Sequence, residues 1–236
     1  MYKFRYLSPR TKILLTILRA AFVGCLVMIT VPGARAALTY FSDDYVAEIQ
    51  QTHVGVQLTE NGNEVSGEGA LIADPQQLLG DDDAIVLGKQ YDEALSVKNA
   101  SEDMDEYVRL TVRKFWANDA GQKDVALDPA YIQLGFDENN AGDWVYSPDE
   151  STDERLVFYY KHVLPAGEHA ATPAVESIKV SKDLTNAKDA ETLYADCWLG
   201  LSAQVDSVQT NNAPEAAKSA WGVDVEKLGL NWNNEG

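Results

Sequence analysis

The run Tyr107-Val108-Arg109-Leu110-Thr111-Val112-Arg113-Lys114-Phe115-Trp116 decides the fold class. Val108, Leu110 and Val112 alternate with Arg109, Thr111 and Arg113, the period-two pattern of a strand with one dry face and one wet face. A second run, Arg155-Leu156-Val157-Phe158-Tyr159-Tyr160-Lys161-His162-Val163, sets Leu156, Phe158 and Tyr160 on a shared face. Working outward, residues 94–99 and 177–181 read as short strands, and 194–209 as a long one with a bulge expected near Gly200. Residues 131–136 and 143–147 read as a hairpin closed by the loop 137–142. Upstream, residues 46–59 alternate most clearly at Val54, Val56 and Leu58, and Glu60-Asn61-Gly62-Asn63 has hairpin-turn chemistry. Residues 64–83 are rich in Gly and Asp and read as a long loop. A helical signal comes only near the end, with Asn212 as N-cap, Pro214 in the first turn and an Ala-rich body to Ala220. Within the tail 221–236, residues 222–230 read as a last strand or an edge cover. Some eight strands with little helix predict an all-β, two-sheet antiparallel jelly-roll-like sandwich with a short C-terminal helix.

The other end of the chain has a different character. Residues 1–19 are a basic lead, 20–31 an unbroken apolar block, and Pro32-Gly33 a helix break. Ala34 and Ala36 then offer small side chains at the two positions a signal peptidase reads. As a helix the apolar block would reach about 18 Å, short of a bilayer core of about 30 Å. The sequence therefore predicts an N-terminal signal helix over 1–36, with a retained signal anchor as the alternative. Residues 1–36 carry six of the 19 cations and no acid, leaving 13 cations against 37 acids, a formal charge of −24. So acidic a body disfavours nucleic acid and anionic lipid, and contact with the membrane is expected only through the uncleaved signal.

Chemical motifs are scarce. The three histidines, His53, His162 and His169, form no His-Glu-x-x-His, and there is no Gly-x-Ser-x-Gly elbow, phosphate loop or dinucleotide fingerprint. No catalytic, cofactor-binding or metal-ligating set is expected, and no cofactor. The loop 137–142 faintly resembles a calcium loop, but Ala141 stands where an oxygen ligand belongs and Pro148 where the bidentate Glu belongs. Cys25 leaves with the signal, and Cys197, between Asp196 and Trp198, reads as a buried small hydrophobe. Asn99-Ala100-Ser101 matches a glycosylation acceptor pattern.

Several local patterns then fall into one order. Ala37-Leu38-Thr39-Tyr40-Phe41-Ser42-Asp43 follows the signal, His53-Val54-Gly55-Val56 opens a strand, and Val97-Lys98-Asn99 precedes Tyr107-Val108-Arg109. A long apolar strand ending at residues 204–209 closes the series. Together these resemble the TasA/camelysin family of exported Gram-positive proteins, which includes the alternate-signal-mediated exported proteins. The resemblance implies a jelly-roll sandwich, signal removal by a dedicated SipW-type peptidase and a role at the cell surface or in the extracellular matrix. TasA-like members build biofilm matrix fibres in which the N-terminal segment of one subunit completes the sheet of the next. It also implies that cleavage can fall just before the aromatic Phe41, so Ala36 and Tyr40 are both open as the last signal residue.

The arm left by cleavage, residues 37–45, would span about 27 Å if extended. Leu38 and Tyr40 lie on one of its faces, Thr39 and Phe41 on the other. A free aromatic-rich strand beside an open sheet edge invites pairing, and strand addition would use it. Donor and acceptor surfaces differ, so the contact would be head-to-tail and would extend into a filament. The expected organisation is thus signal 1–36, donor arm 37–45 and sandwich 46–236, in a secreted structural subunit whose partners are copies of itself and a SipW-type signal peptidase. Camelysin-like relatives are classed as metallopeptidases, so a metal-dependent surface peptidase is one alternative, and a monomeric adhesin or binding module is another.

Overall fold

The computed structural model describes residues 46–51, 55–65, 78–79, 84–118, 121–194, 197–230 and 232. The signal over 1–36 and the arm over 37–45 lie outside the described residues. Ten strands form two five-stranded sheets packed as a sandwich. Sheet A runs β1 (Val46–Gln51), β10 (Trp198–Gln209), β5 (Glu106–Ala117), β8 (Arg155–Tyr160) and β7 (Trp144–Tyr146). Sheet B runs β3 (Asn63–Glu64), β2 (Val56–Glu60), β4 (Gln90–Asn99), β9 (Val175–Val180) and β6 (Ile132–Gly135). Every pairing is antiparallel except that of β1 with β10, which is parallel.

The core follows the alternation. Val108, Leu110, Val112 and Trp116 of β5 and Leu199, Leu201, Ala203 and Val205 of β10 are buried in one cluster with Leu95 and Val97 of β4 and Ile178 and Val180 of β9. Cys197 belongs to this core, its thiol donating to the Tyr194 carbonyl at 3.3 Å. The expected bulge at Gly200 is absent: β10 pairs with β5 from Trp198↔Ala117 to Gln209↔Glu106 without a shift. The glycine has another cause. A Cβ there would sit 2.4 Å from the ring of Phe115 on the neighbouring strand.

Residues 131–136 and 143–147 do not make a hairpin. β6 pairs with β9 in sheet B and β7 with β8 in sheet A, so the loop between them crosses from one sheet to the other. Asp137 organises the crossing by accepting the N–H groups of Asn139 at 3.0 Å and Gly142 at 2.7 Å. Lys161 holds it from outside, its ammonium donating to the carbonyls of Asn140 at 2.6 Å and of Gly142. A side-chain ammonium thus takes up two backbone carbonyls of the loop.

β4 begins four residues before the expected strand. Its pairing with β9 shifts register between Asp92 and Leu95, and a buried acid, Glu93, sits in that irregular stretch. Asn99 at the other end of β4 is fully buried and donates to the carbonyls of Met104 at 2.7 Å and Leu164 at 2.9 Å. Its amide ties a loop to the sheet and is closed to glycan attachment in the folded protein.

Residues 222–230 are neither strand nor edge cover. A helix, α2 (Ala213–Trp221), starts at Asn212 with φ 53° and stops at Gly222 with φ 72°; a shorter one, α1 (Ala190–Leu193), precedes β10. Asn212 takes the N-cap position without a side-chain capping bond. After α2 comes a 3-10 turn over Val225–Leu228 and then Trp232. They build a second apolar cluster on the outward face of sheet A, with Ala213, Ala217, Val225, Leu230 and Trp232 over Tyr107, Val145, Val157, Tyr159 and Val208. Trp232 stacks on Tyr107 with centroids 4.5 Å apart and donates its indole N–H to the Tyr160 carbonyl at 3.3 Å. Burial and the neighbouring Glu150 carboxylate, which accepts its hydroxyl at 2.9 Å, raise the pKa of Tyr159.

Truncation at Trp232 removes the largest buried side chain of that cluster. Trp232→Ala should cost about 3–5 kcal/mol of stability by urea denaturation. A change within about 0.5 kcal/mol would mean the tail only rests on the sheet.

Candidate functional site

Strand addition takes place at sheet edges. β3 has two residues, β7 three and β6 four. Edges so short are blunted against pairing. β1 has six residues and is the exception. It pairs in parallel with β10 over its whole length, from Val46↔Gly200 to Gln51↔Val205, and has one strand neighbour among the described residues. Parallel pairing is slightly weaker per residue than antiparallel, and ordering a strand costs about 1–2 kcal/mol per residue of backbone entropy. Among the described residues, β1 is thus held on one side only, by a parallel ladder.

Among the described residues, pairing of β10 with β1 runs to Val205 and its pairing with β5 continues to Gln209. Beside that stretch lies a cleft of about 800 Å³. Glu106, Gln204, Asp206 and Gln209 line its strand side, and Ser219 and Trp221 of α2 form its other wall. Its floor is a charge pair set by register, because Arg109 and Asp206 face each other across β5 and β10. The guanidinium donates through Nη2 at 2.6 Å and Nε at 3.1 Å to the same carboxylate oxygen, Oδ2. The other oxygen accepts from Gln204 Nε2 at 3.1 Å. The same guanidinium lies 4.9 Å from the Trp221 ring centroid, so one arginine joins the strand pair to the helix that covers it.

The sequence-derived candidates fare unevenly. Ala34, Ala36, Leu38, Tyr40 and Phe41 all lie outside the described residues, as does His53. His162 is exposed and pairs with Asp143 at 3.1 Å, while His169 makes a backbone bridge to Lys98. No group of three or more His, Cys, Asp or Glu that could hold a metal ion occurs among the described residues. No described helix is long and apolar enough to cross a membrane.

Charges on the core-facing parity escaped the sequence reading, though the pattern carried a signal. Glu60 follows Val56 and Leu58 on the inward face of β2, Glu93 precedes Leu95 and Val97 on that of β4, and Lys114 follows Val108, Leu110 and Val112 on β5. All three are buried. Lys114 donates to the Ile132 carbonyl, linking sheet A to sheet B, and burial lowers its pKa. Glu60 and Glu93 lie side by side on β2 and β4, and Asn61 Nδ2 donates to Glu93 Oε2 at 3.3 Å. Burial, with the hydrogen bond and charge of Glu93, pushes the Glu60 pKa up to about 10.

No family model matches this chain, and no curated protein matches it. Among solved structures it is similar to a type I cohesin–dockerin complex from Clostridium thermocellum, with a TM-score of 0.27 and 10% identity over 50% of this chain and 85% of that one.

The carboxyl pair makes stability depend on pH. A carboxyl whose pKa is raised on folding contributes fully below its unfolded value, near 4.5, and loses that contribution as pH rises through about 10. Lys114, shifted down, acts in the opposite sense toward alkaline pH. Comparison with a Glu60→Gln variant cancels the Lys114 effect. The variant should gain on the wild type by at least about 1 kcal/mol between about pH 5 and about pH 9, read by denaturation at each pH. Parallel stability curves would show that the pair holds no proton.

Proposed function

We propose that the protein is an exported structural subunit of extracellular matrix or surface fibres, which assembles when the N-terminal strand of one copy enters the sheet of the next. The observation that carries this reading is the place of β1: a six-residue N-terminal strand, parallel in an otherwise antiparallel sandwich, on the edge of β10. The same strand can fill the same slot in a neighbouring copy with the same backbone hydrogen bonds, so exchange costs little beyond the entropy of association. Residues 37–45, just ahead of β1, would lengthen the donor, with Leu38, Tyr40 and Phe41 supplying alternate side chains for register. The apolar block before Ala34-Arg35-Ala36 supports export and cleavage by a SipW-type peptidase, after Ala36 or after Tyr40.

The acidic body sets the conditions for assembly. Copies carrying a large negative charge repel one another over a Debye length of about 30 Å at 0.01 M salt and about 8 Å at 0.15 M. Filaments should therefore form faster as salt rises across that range.

Electron microscopy and sedimentation of the processed protein test the proposal against a variant lacking residues 37–51. The processed protein should form filaments and the variant should stay monomeric. A synthetic peptide of residues 37–51, added in excess to the processed protein, should cap its growth, which guards against a variant that merely misfolds. Filaments of equal length with the peptide present, or from a folded variant, would end the strand-exchange reading.

A further inference from the structure

At the side of the sandwich where the chain crosses from β6 to β7, the two sheets leave a small opening of about 170 Å³. Phe136, Trp144, Tyr146 and Phe158 line it. Phe136 lies 4.7 Å from Tyr146 and 5.2 Å from Phe158, and Tyr146 lies 5.6 Å from Phe158, with planes inclined at 45° to 80°. The Trp144 indole N–H is already taken by the Thr172 carbonyl at 2.9 Å, so its ring serves the opening as a wall.

The remaining chemistry of the opening is acidic. Asp137, Asp143 and Glu176 line it, and no Lys or Arg does. Asp137 stays ionised, its pKa lowered chiefly by the Gly142 N–H. Asp143 accepts the Thr172 hydroxyl at 2.9 Å on one oxygen and meets His162 Nε2 at 3.1 Å with the other. Glu176, exposed on β9, is in no ion pair among the described residues. The neighbouring ammonium, that of Lys161, is spent on the carbonyls of Asn140 and Gly142. Aromatic walls and carboxylates therefore stand together, with no Lys or Arg among the lining residues.

We infer that this opening binds the head group of an alkylammonium cation. Aromatic rings attract such cations through their quadrupole, the carboxylates add a net negative field, and no other side chain class suits the combination. The volume is below the roughly 300 Å³ at which drug-sized ligands are held, so a single head group fits and a whole molecule does not. An anion is repelled, and a neutral group of the same shape gains only contact.

That last difference gives the test. Choline and its neutral carbon isostere, 3,3-dimethylbutan-1-ol, are titrated into the folded protein, with n-butylammonium as a third probe. Binding is followed by nitrogen-15 NMR at the Trp144 indole and the Gly142 amide. A cation site predicts saturable shifts with a cation at millimolar concentration, and binding of the neutral alcohol weaker by about tenfold, or about 1.4 kcal/mol. Tighter binding of choline marks a quaternary head group as the source, and tighter n-butylammonium marks a lysine-type side chain. Glu176→Gln, on the surface, and Tyr146→Leu should each weaken the preferred cation severalfold while the rest of the spectrum is unchanged. Equal binding of the alcohol would reduce the site to an apolar slot, and no shift with either cation at tens of millimolar would overturn it.

Discussion

The twelve-residue antiparallel ladder between β5 and β10 is the constraint on which the other parts of the sandwich depend. Its inward rows supply much of the core, and its outward rows carry the second apolar cluster under α2 and the tail. β8 extends it on the β5 side and β1 on the β10 side. The ladder tolerates no slip, because a shift of one residue would turn Leu199, Leu201, Ala203 and Val205 out of the core. Gly200 keeps the register unbroken by leaving room for Phe115, and the Arg109–Asp206 pair fixes the far end.

This arrangement separates what is rigid from what can be traded. β10 and β5 are central strands with neighbours on both sides and covered faces. β1 is attached to the same ladder but has one strand neighbour among the described residues, a parallel register and a position close to the start of the sandwich. In the proposed assembly the acidic body would brake premature association, and salt would relax that brake.

The sandwich was legible in the sequence wherever one face of a strand was dry and the other wet. Residues 107–116 show that alternation and form β5 nearly as read, while 155–160 form β8 with both faces buried. Legibility failed where the cause was not local. Phe136 and Trp144 flank a turn-like loop, and nothing in their spacing says that one strand belongs to sheet B and the other to sheet A; the Asp137 bonds and the Lys161 tether make that difference. The tail lacked a period because its residues meet the sheet singly, through 3-10 geometry and Trp232. Buried charge was readable in principle: Glu60, Glu93 and Lys114 interrupt apolar rows at the inward parity. What stayed hidden was their pairing. As for the candidate site, the arm 37–45 was picked out by its aromatics and its place after the signal, while the strand beside β10 proves to be the next segment, 46–51.

Strand exchange is tested most directly by a cross-link that forms only between copies. Glu48 and Ser202 are register partners in the parallel pair. Processed protein carrying Glu48→Cys is mixed with processed protein carrying Ser202→Cys, each with Cys197→Ala, and both are allowed to assemble under mild oxidation. The account predicts disulfide-linked heterodimers, identified by mass spectrometry, in the filament fraction and none in the monomer fraction. Filaments that form without that intermolecular bond would contradict it.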